Sequence, residues 1–211
     1  MKRILFIISV ISGLLYACSS GKYVDEFKKI KRSIDTLEIL PIDLQIKTVD
    51  FYRRQQSDPQ LEEIVITDII NQTNSVLNKK YKIVKPDYND LTDSQVSVDF
   101  EQLSNLLDDK KNSLNNVDIP LSFNNLKRNH KHQYSIMLII RAQYCINYPE
   151  QTNKIWIDPL VKTYIKQCIF LIDNFNGKIL YYKKIKTAGD ISVKLAVEQI
   201  TLKSLRNLYY K

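Results

Sequence analysis

The chain has 211 residues, a formal charge of +8, 44% apolar residues and only four Gly. That length supports one domain with a proper core, or at most two small ones. So few glycines leave little backbone for a phosphate cradle, and no RNP-like or helix-turn-helix pattern accompanies the positive balance, so no nucleic-acid partner is expected.

Lys2 and Arg3 form a short positive head, Ile4 to Leu15 an uncharged apolar run, and Ala17 places a small residue ahead of Cys18. This is the three-part layout of a secretory signal. The run is shorter than the roughly 20 apolar residues that a spanning helix needs. A buried core helix is the alternative, but it would start uncapped at residue 1 and pass at once into the polar Ser19-Ser20-Gly21-Lys22. Leu15-Tyr16-Ala17-Cys18 resembles the lipobox of bacterial lipoproteins, with Tyr16 where a smaller residue is usual. The resemblance implies that Cys18 receives a diacylglycerol and, after cleavage, becomes the amino terminus. An ordinary thiol in a signal cleaved elsewhere is the other reading. Acyl chains such as palmitate contribute about 0.8 kcal/mol per buried methylene, so two or more hold a protein on a membrane without a spanning helix. Ser19 and Ser20, with no Asp after Cys18, resemble the sorting signal of enteric lipoproteins retained on the periplasmic side of the outer membrane. The expected layout is a signal peptide over 1–17, a lipid-anchored tether over 18–33, and a single domain over 34–211.

The first strand expected in that domain is Thr36 to Leu44, with Pro41 marking a bulge or an end. Ser57-Asp58-Pro59 opens a helix, with Asp58 as N-cap and Pro59 at the first helical position, closing near Asn78. Tyr81 to Val84 reads as a short strand stopped by Pro86. A weaker amphipathic pattern predicts a helix between about Ser94 and Lys110, and Asn112 to His132 reads as a loop with a short helical turn. Tyr134 to Ile146 is a strand, apolar first and alternating later, and Val161 to Asp173 is another. Asn176-Gly177 predicts a hairpin into a strand over Lys178 to Ile185. A helix follows from Asp190, a good N-cap, to about Tyr209. It carries apolar residues on two sides: Val193, Ala196, Val197, Ile200 and Leu208 on one, and Ile191, Leu195, Leu202, Leu205 and Tyr209 on the other. One side needs the sheet; the other needs either the first helix or a second protein. The fold class is therefore α/β (α+β), a mixed sheet of about five strands flanked by helices, in the order β-α-β-(α)-β-β-β-α.

This order is similar to that of a group of periplasmic α/β lipoprotein domains, which includes the curli-secretion lipoprotein, the amino-terminal domain of TolB and the penicillin-binding-protein activator lipoprotein. Leu37-Glu38-Ile39-Leu40-Pro41-Ile42-Asp43 looks like their first strand. Leu171 to Tyr182 resembles their hairpin, in which an Asp and a turn Gly precede a strand with an aromatic. The resemblance implies a non-catalytic accessory of the cell envelope that binds another envelope protein. Self-assembly into a structural or secretion-related subunit is the alternative it implies, and a small hydrolase is a remoter one. Leu195, Leu202, Leu205 and Tyr209, or the edge strand over Lys178 to Ile185, are the expected partner contacts, with the membrane reached through Cys18.

Candidate chemistry is sparse. Cys145 and Cys168 fall in strand-like runs of an exported chain, so a disulfide between them is one expectation and two buried thiols the other. His130 and His132 form an H-x-H pair, but Lys127, Arg128 and Lys131 beside it oppose a divalent metal. Asp43 and Asp173 are conceivable paired carboxylates, although both occupy strand ends or turns where Asp satisfies local hydrogen bonds. No metal, cofactor or catalytic residue is expected.

Overall fold

The computed structural model describes residues 21–50, 54–85, 94–109, 113–120, 123, 132–145, 163–189 and 191–209. In chain order these form β1 (Lys22–Tyr23), α1 (Phe27–Ser33), β2 (Thr36–Ile39), β3 (Asp43–Val49), β4 (Gln55–Ser57), α2 (Pro59–Leu77), β5 (Lys82–Val84), α3 (Ser94–Leu107), β6 (Tyr134–Cys145), β7 (Tyr164–Asp173), β8 (Lys178–Thr187) and α4 (Lys194–Tyr209). A 3₁₀ turn occupies Leu114–Asn116. The mixed α/β architecture is the expected one.

The strands make one sheet in the order β1-β8-β7-β6-β2-β5, with β3 also on β6 and β4 on β3. β6, β7 and β8 are the antiparallel meander read from the sequence, while β2 and β3 run parallel to β6. Alternate residues of β6 and β7 are apolar on both faces. Ile136, Leu138, Ile140, Ile165, Ile169 and Leu171 meet α2 and α4, together with Leu37, Leu44 and Ile46. Met137, Ile139, Cys168, Phe170 and Ile172 meet Val96, Phe100 and Leu107 of α3, and Leu114, Ile119 and Phe123 of the segment after it. Phe100 packs edge-on against Phe170 at 5.0 Å and Phe123 at 5.6 Å, giving this second layer an aromatic centre. α3 with Leu114, Ile119 and Phe123 therefore covers one face of the sheet; His130 and Asp190 lie outside the described residues.

Pro41 divides the expected first strand in two. Glu38 pairs with Ser135, but Asp43 pairs with Ile139, so the chain gains a residue relative to β6 at the proline. Because side chains alternate, Leu40 lies on the face opposite Leu37, and the slip is what turns Leu44 and Ile46 back to the α2/α4 side with Leu37. A residue without an N–H suits such an interruption. The hairpin turn forms as read: Asp173 Oδ1 accepts the amides of Phe175 at 3.1 Å and Asn176 at 3.0 Å, and Gly177 has φ 67°. The N-cap also forms, with Asp58 Oδ1 accepting the Leu61 amide at 3.0 Å.

Residues 21–33, expected to be part of a tether, pack against the domain. β1 pairs with Tyr181 and Tyr182 of β8, and Val24 donates to the Leu180 carbonyl at 3.1 Å. Phe27 is buried in the core, stacked on Tyr181 at 5.3 Å with Tyr23 on its other side at 5.8 Å. Gly21 lies so near Tyr181 that a Cβ there would sit 2.7 Å from its ring. The Lys-rich composition of α1 disguised this: only Phe27, Ile30 and Ile34 face inward, at helical spacing. Phe27→Ala is expected to lower unfolding free energy by about 3 kcal/mol, the usual order for a buried aromatic; denaturant unfolding of the chain lacking residues 1–18 checks it, and a midpoint unchanged from the parent would restore the tether.

Candidate functional site

α2 and α4 lie side by side and point the same way. Lys194 at the start of α4 reaches Asp68 of α2 at 3.9 Å. At the other end Tyr81, just past α2, donates to the Leu208 carbonyl at 2.6 Å. The seam is apolar, with Val65, Ile69 and Val76 on α2 and Val197, Ile200, Leu205 and Leu208 on α4 in one core cluster. α4 is thus covered by the sheet on one flank and by α2 on the other. The carboxyl-terminal end of α4 collects cations: Lys31 donates to the Asn207 carbonyl at 2.5 Å and Lys80 to the Leu208 carbonyl at 3.3 Å. Positive groups at the negative end of a helix dipole stabilise it. Burial lowers the pKa of Lys31; burial and then the charge of Lys31 lower that of Lys80.

The amino-terminal end of the pair is different. Ile64 of α2, one turn before Asp68, is 61% exposed, and Val193 and Leu195, flanking Lys194, are 50% and 60% exposed. These three large apolar residues are the candidate docking surface. Of the residues singled out from the sequence, Leu195 is part of it, Leu202 and Tyr209 are half-buried against the core, and Leu205 is fully buried. Leu205 as a partner contact is therefore corrected: it shares the inward stripe of Val197, Ile200, Thr201, Ser204 and Leu208. Ile64 and Val193 were not among the partner contacts expected from the sequence. A shallow groove open to solvent, with about 320 Å³ of empty volume, lies beside this surface between Ile185 and Thr187 of β8 and Ala196, Gln199 and Ile200 of α4.

The remaining candidates separate in space. Cys168 lies opposite Ile139 in the β6–β7 register, six residues from Cys145, or about 20 Å at about 3.3 Å per residue. Bridging requires Cα atoms within about 7 Å. The two cysteines are accordingly not joined, which corrects the disulfide expectation. Cys168 is buried, 3.2 Å from Ser104 Oγ, whose hydroxyl is 2.9 Å from that of Tyr182; burial raises the thiol pKa and so suppresses the thiolate. Asp43 and Asp173 are also apart, since their partners on β6 are Ile139 and Tyr134. Asp173 caps its turn, while Asp43 binds Arg141. His132 is half-buried and offers its carbonyl to Asn174 Nδ2 at 2.8 Å. Among the described residues no group of three His, Cys, Asp or Glu is placed to hold a metal, and no helix is long and apolar enough to cross a membrane.

Arg141 joins the sheet to α3. Its Nη2 lies 2.7 Å from Asp43 Oδ2 and 3.1 Å from Glu101 Oε2, and Lys166 stands 3.6 Å from the other oxygen of Glu101. Burial alone would depress the guanidinium pKa; the bond to Asp43 and the charges of Asp43 and Glu101 outweigh it, so the net direction is upward. At the opposite end of the same face, Glu38 is buried and accepts from Ser135 Oγ at 2.9 Å, which in turn meets Asn174 Nδ2 at 2.6 Å. Both clusters are explained as polar ties at the margins of an apolar layer.

No family model matches the chain, and no curated protein matches it in sequence. Several solved structures are similar. The PelC dodecamer from Paraburkholderia phytofirmans shares 11% identity over 92% of this chain and 98% of that one, with a TM-score of 0.44. Lipoprotein GNA1162 from Neisseria meningitidis shares 12% over 82% of this chain and 99% of its own, with a TM-score of 0.33. The LpoB C-terminal domain from Salmonella enterica shares 13% over 77% and 93%, with a TM-score of 0.30.

Two outcomes check this geometry. Mass mapping after iodoacetamide treatment of the native protein is expected to leave Cys168 unmodified until denaturant is added, with no change in intact mass on reduction; a two-dalton gain would reveal a bridge. Arg141→Met is expected to cost about 2 kcal/mol, because it strands Asp43 and Glu101 in a half-buried site; an unfolding midpoint equal to the parent's would show that α3 docks without this tie.

Proposed function

We propose that this protein is a lipid-anchored, non-catalytic binding module of the bacterial cell envelope, held at the outer membrane through acylated Cys18 with its domain on the periplasmic side. The layout is a signal peptide over 1–17, a tether of only a few residues from Cys18, and one α/β domain extending to residue 211. The partner is another envelope protein, docking on the amino-terminal end of the α2–α4 pair. The observation that carries this reading is the exposed apolar set Ile64, Val193 and Leu195, on a helix pair whose other flanks are already satisfied by the sheet and by each other. Apolar residues clustered on an otherwise charged surface mark interaction sites. The wide lipobox-like context of Cys18 supports the anchoring, and the similarity to a lipoprotein and to the LpoB C-terminal domain accords with an envelope role.

Crosslinking in the native cell, followed by mass spectrometry, tests the docking. The variant Ile64→Glu/Leu195→Glu is expected to lose the crosslinked protein while its unfolding free energy stays within about 0.5 kcal/mol of the parent, as for exposed positions. Retention of the crosslink would remove the patch from the interface, and a crosslink only to a second copy of this chain would turn the reading to self-assembly. For the anchor, wild type is expected in the membrane fraction with a mass gain on the Cys18 peptide, and Cys18→Ser in the soluble fraction.

A further inference from the structure

We infer that the edge of the sheet made by β1 and β8 is a basic surface that lies against anionic lipid headgroups. The orientation rests on the anchoring of Cys18 proposed above; the charge argument does not. In the β1–β8 register Lys22 stands opposite Tyr182, so Gly21 enters beside Lys183. From Cys18 to Gly21 the chain spans at most about 10 Å in any conformation. Gly21 cannot drift from this edge without losing the ladder of β1, the stack of Phe27 on Tyr181 and the burial of Phe27. An acylated Cys18 therefore brings this edge, where Lys22 also donates to the Asp109 carbonyl just past α3, to the bilayer surface.

Cations outnumber acids around it; on its α3 side Asp108 is paired with Lys184 of β8. Lys28 and Lys29 are exposed on α1, whose inward positions are taken by Phe27 and Ile30. Lys203 is exposed on α4, and its carbonyl accepts from the buried Lys183 of β8 at 2.7 Å, which places it at the same edge. Arg206 lies close enough to Lys183 to help lower its pKa, after burial. Lys186 is exposed farther along β8, with its ammonium 4.9 Å from the centre of the Tyr164 ring. Between Lys22 and Ser33 there are five cations, and the only acids are Asp25 and Glu26. Asp25 is engaged by Asn115 Nδ2 at 2.9 Å on the α3 side of the edge. The unpaired stretch of β8 would otherwise be a site for strand addition, and lysines along it discourage that use. An anionic bilayer is the occupant that such an edge accepts.

The test uses the chain lacking residues 1–18, which keeps every described residue and has no acyl group, in sedimentation with vesicles of phosphatidylcholine with and without phosphatidylglycerol. Binding is expected only with phosphatidylglycerol and is expected to weaken as salt rises. Each basic residue near such a surface contributes about a fivefold factor, so K28Q/K29Q/K186Q/K203Q is expected to bind at least about 100-fold more weakly. The charge-matched K47Q/K82Q/K85Q/K194Q, with substitutions on β3, on and just after β5, and at the start of α4, is expected to lose no more than a few-fold. Equal losses in the two variants, or equal binding to neutral vesicles, would overturn the assignment of this edge. The mass of the native Cys18 peptide reports the anchor separately, so either idea can fail alone.

Discussion

The fold depends on two strands that are apolar on both faces. Ile136, Leu138 and Ile140 of β6 face one way and Met137 and Ile139 the other, and β7 repeats the pattern with Ile169 and Leu171 against Cys168, Phe170 and Ile172. Neither face of such a pair tolerates water, so each needs its own layer. α2 and α4 supply one, with α1 closing its lower end; α3 and the segment through Phe123 supply the other. The polar groups inside follow from the same demand. Glu38, Ser135 and Asn174 at one margin, and Arg141, Asp43 and Glu101 at the other, satisfy one another where the aromatic layer ends.

The parallel course of α2 and α4 gives the helix layer two unlike ends. Both helices place their carboxyl termini together, where exposed carbonyls are met by Lys31, Lys80 and Tyr81. At the other end α4 starts beside Asp68, midway along α2, and α2 runs on to its cap at Asp58, which also accepts the hydroxyl of Tyr144 at 2.7 Å. The cationic α1 gathers at the first end and the exposed Ile64, Val193 and Leu195 at the second. A domain with one charged and one apolar region can meet a headgroup layer and a protein at the same time. Neither interaction needs a deep pocket, which agrees with the open, shallow groove between β8 and α4.

Much of this was readable along the chain. The cap at Asp58, the turn at Asp173 to Gly177, the meander and the terminal helix each depend on residues within a few positions of one another, and each formed where expected. The errors share a cause. Leu205 reads as part of a second apolar side of the terminal helix, but with the sheet on one flank of α4 and α2 on the other, that position is buried as well. α1 reads as a tether because its seven residues carry four basic side chains, and its three anchoring contacts are with strands far away in sequence. β1 and β4 are short, polar edge strands defined by their partners rather than by any apolar pattern.

Local chemistry alone was enough to set the α/β class and the order of the longer elements, because caps, turns and alternating runs act over a few residues. It could not set which side of α4 meets water, how far Cys145 stands from Cys168, or where the chain after Cys18 joins the domain. Those follow from the register of β6 with β7, the one-residue slip at Pro41 and the docking of Phe27 on Tyr181. Each is a contact between segments distant along the chain, and its geometry exists only once both faces of the sheet are covered.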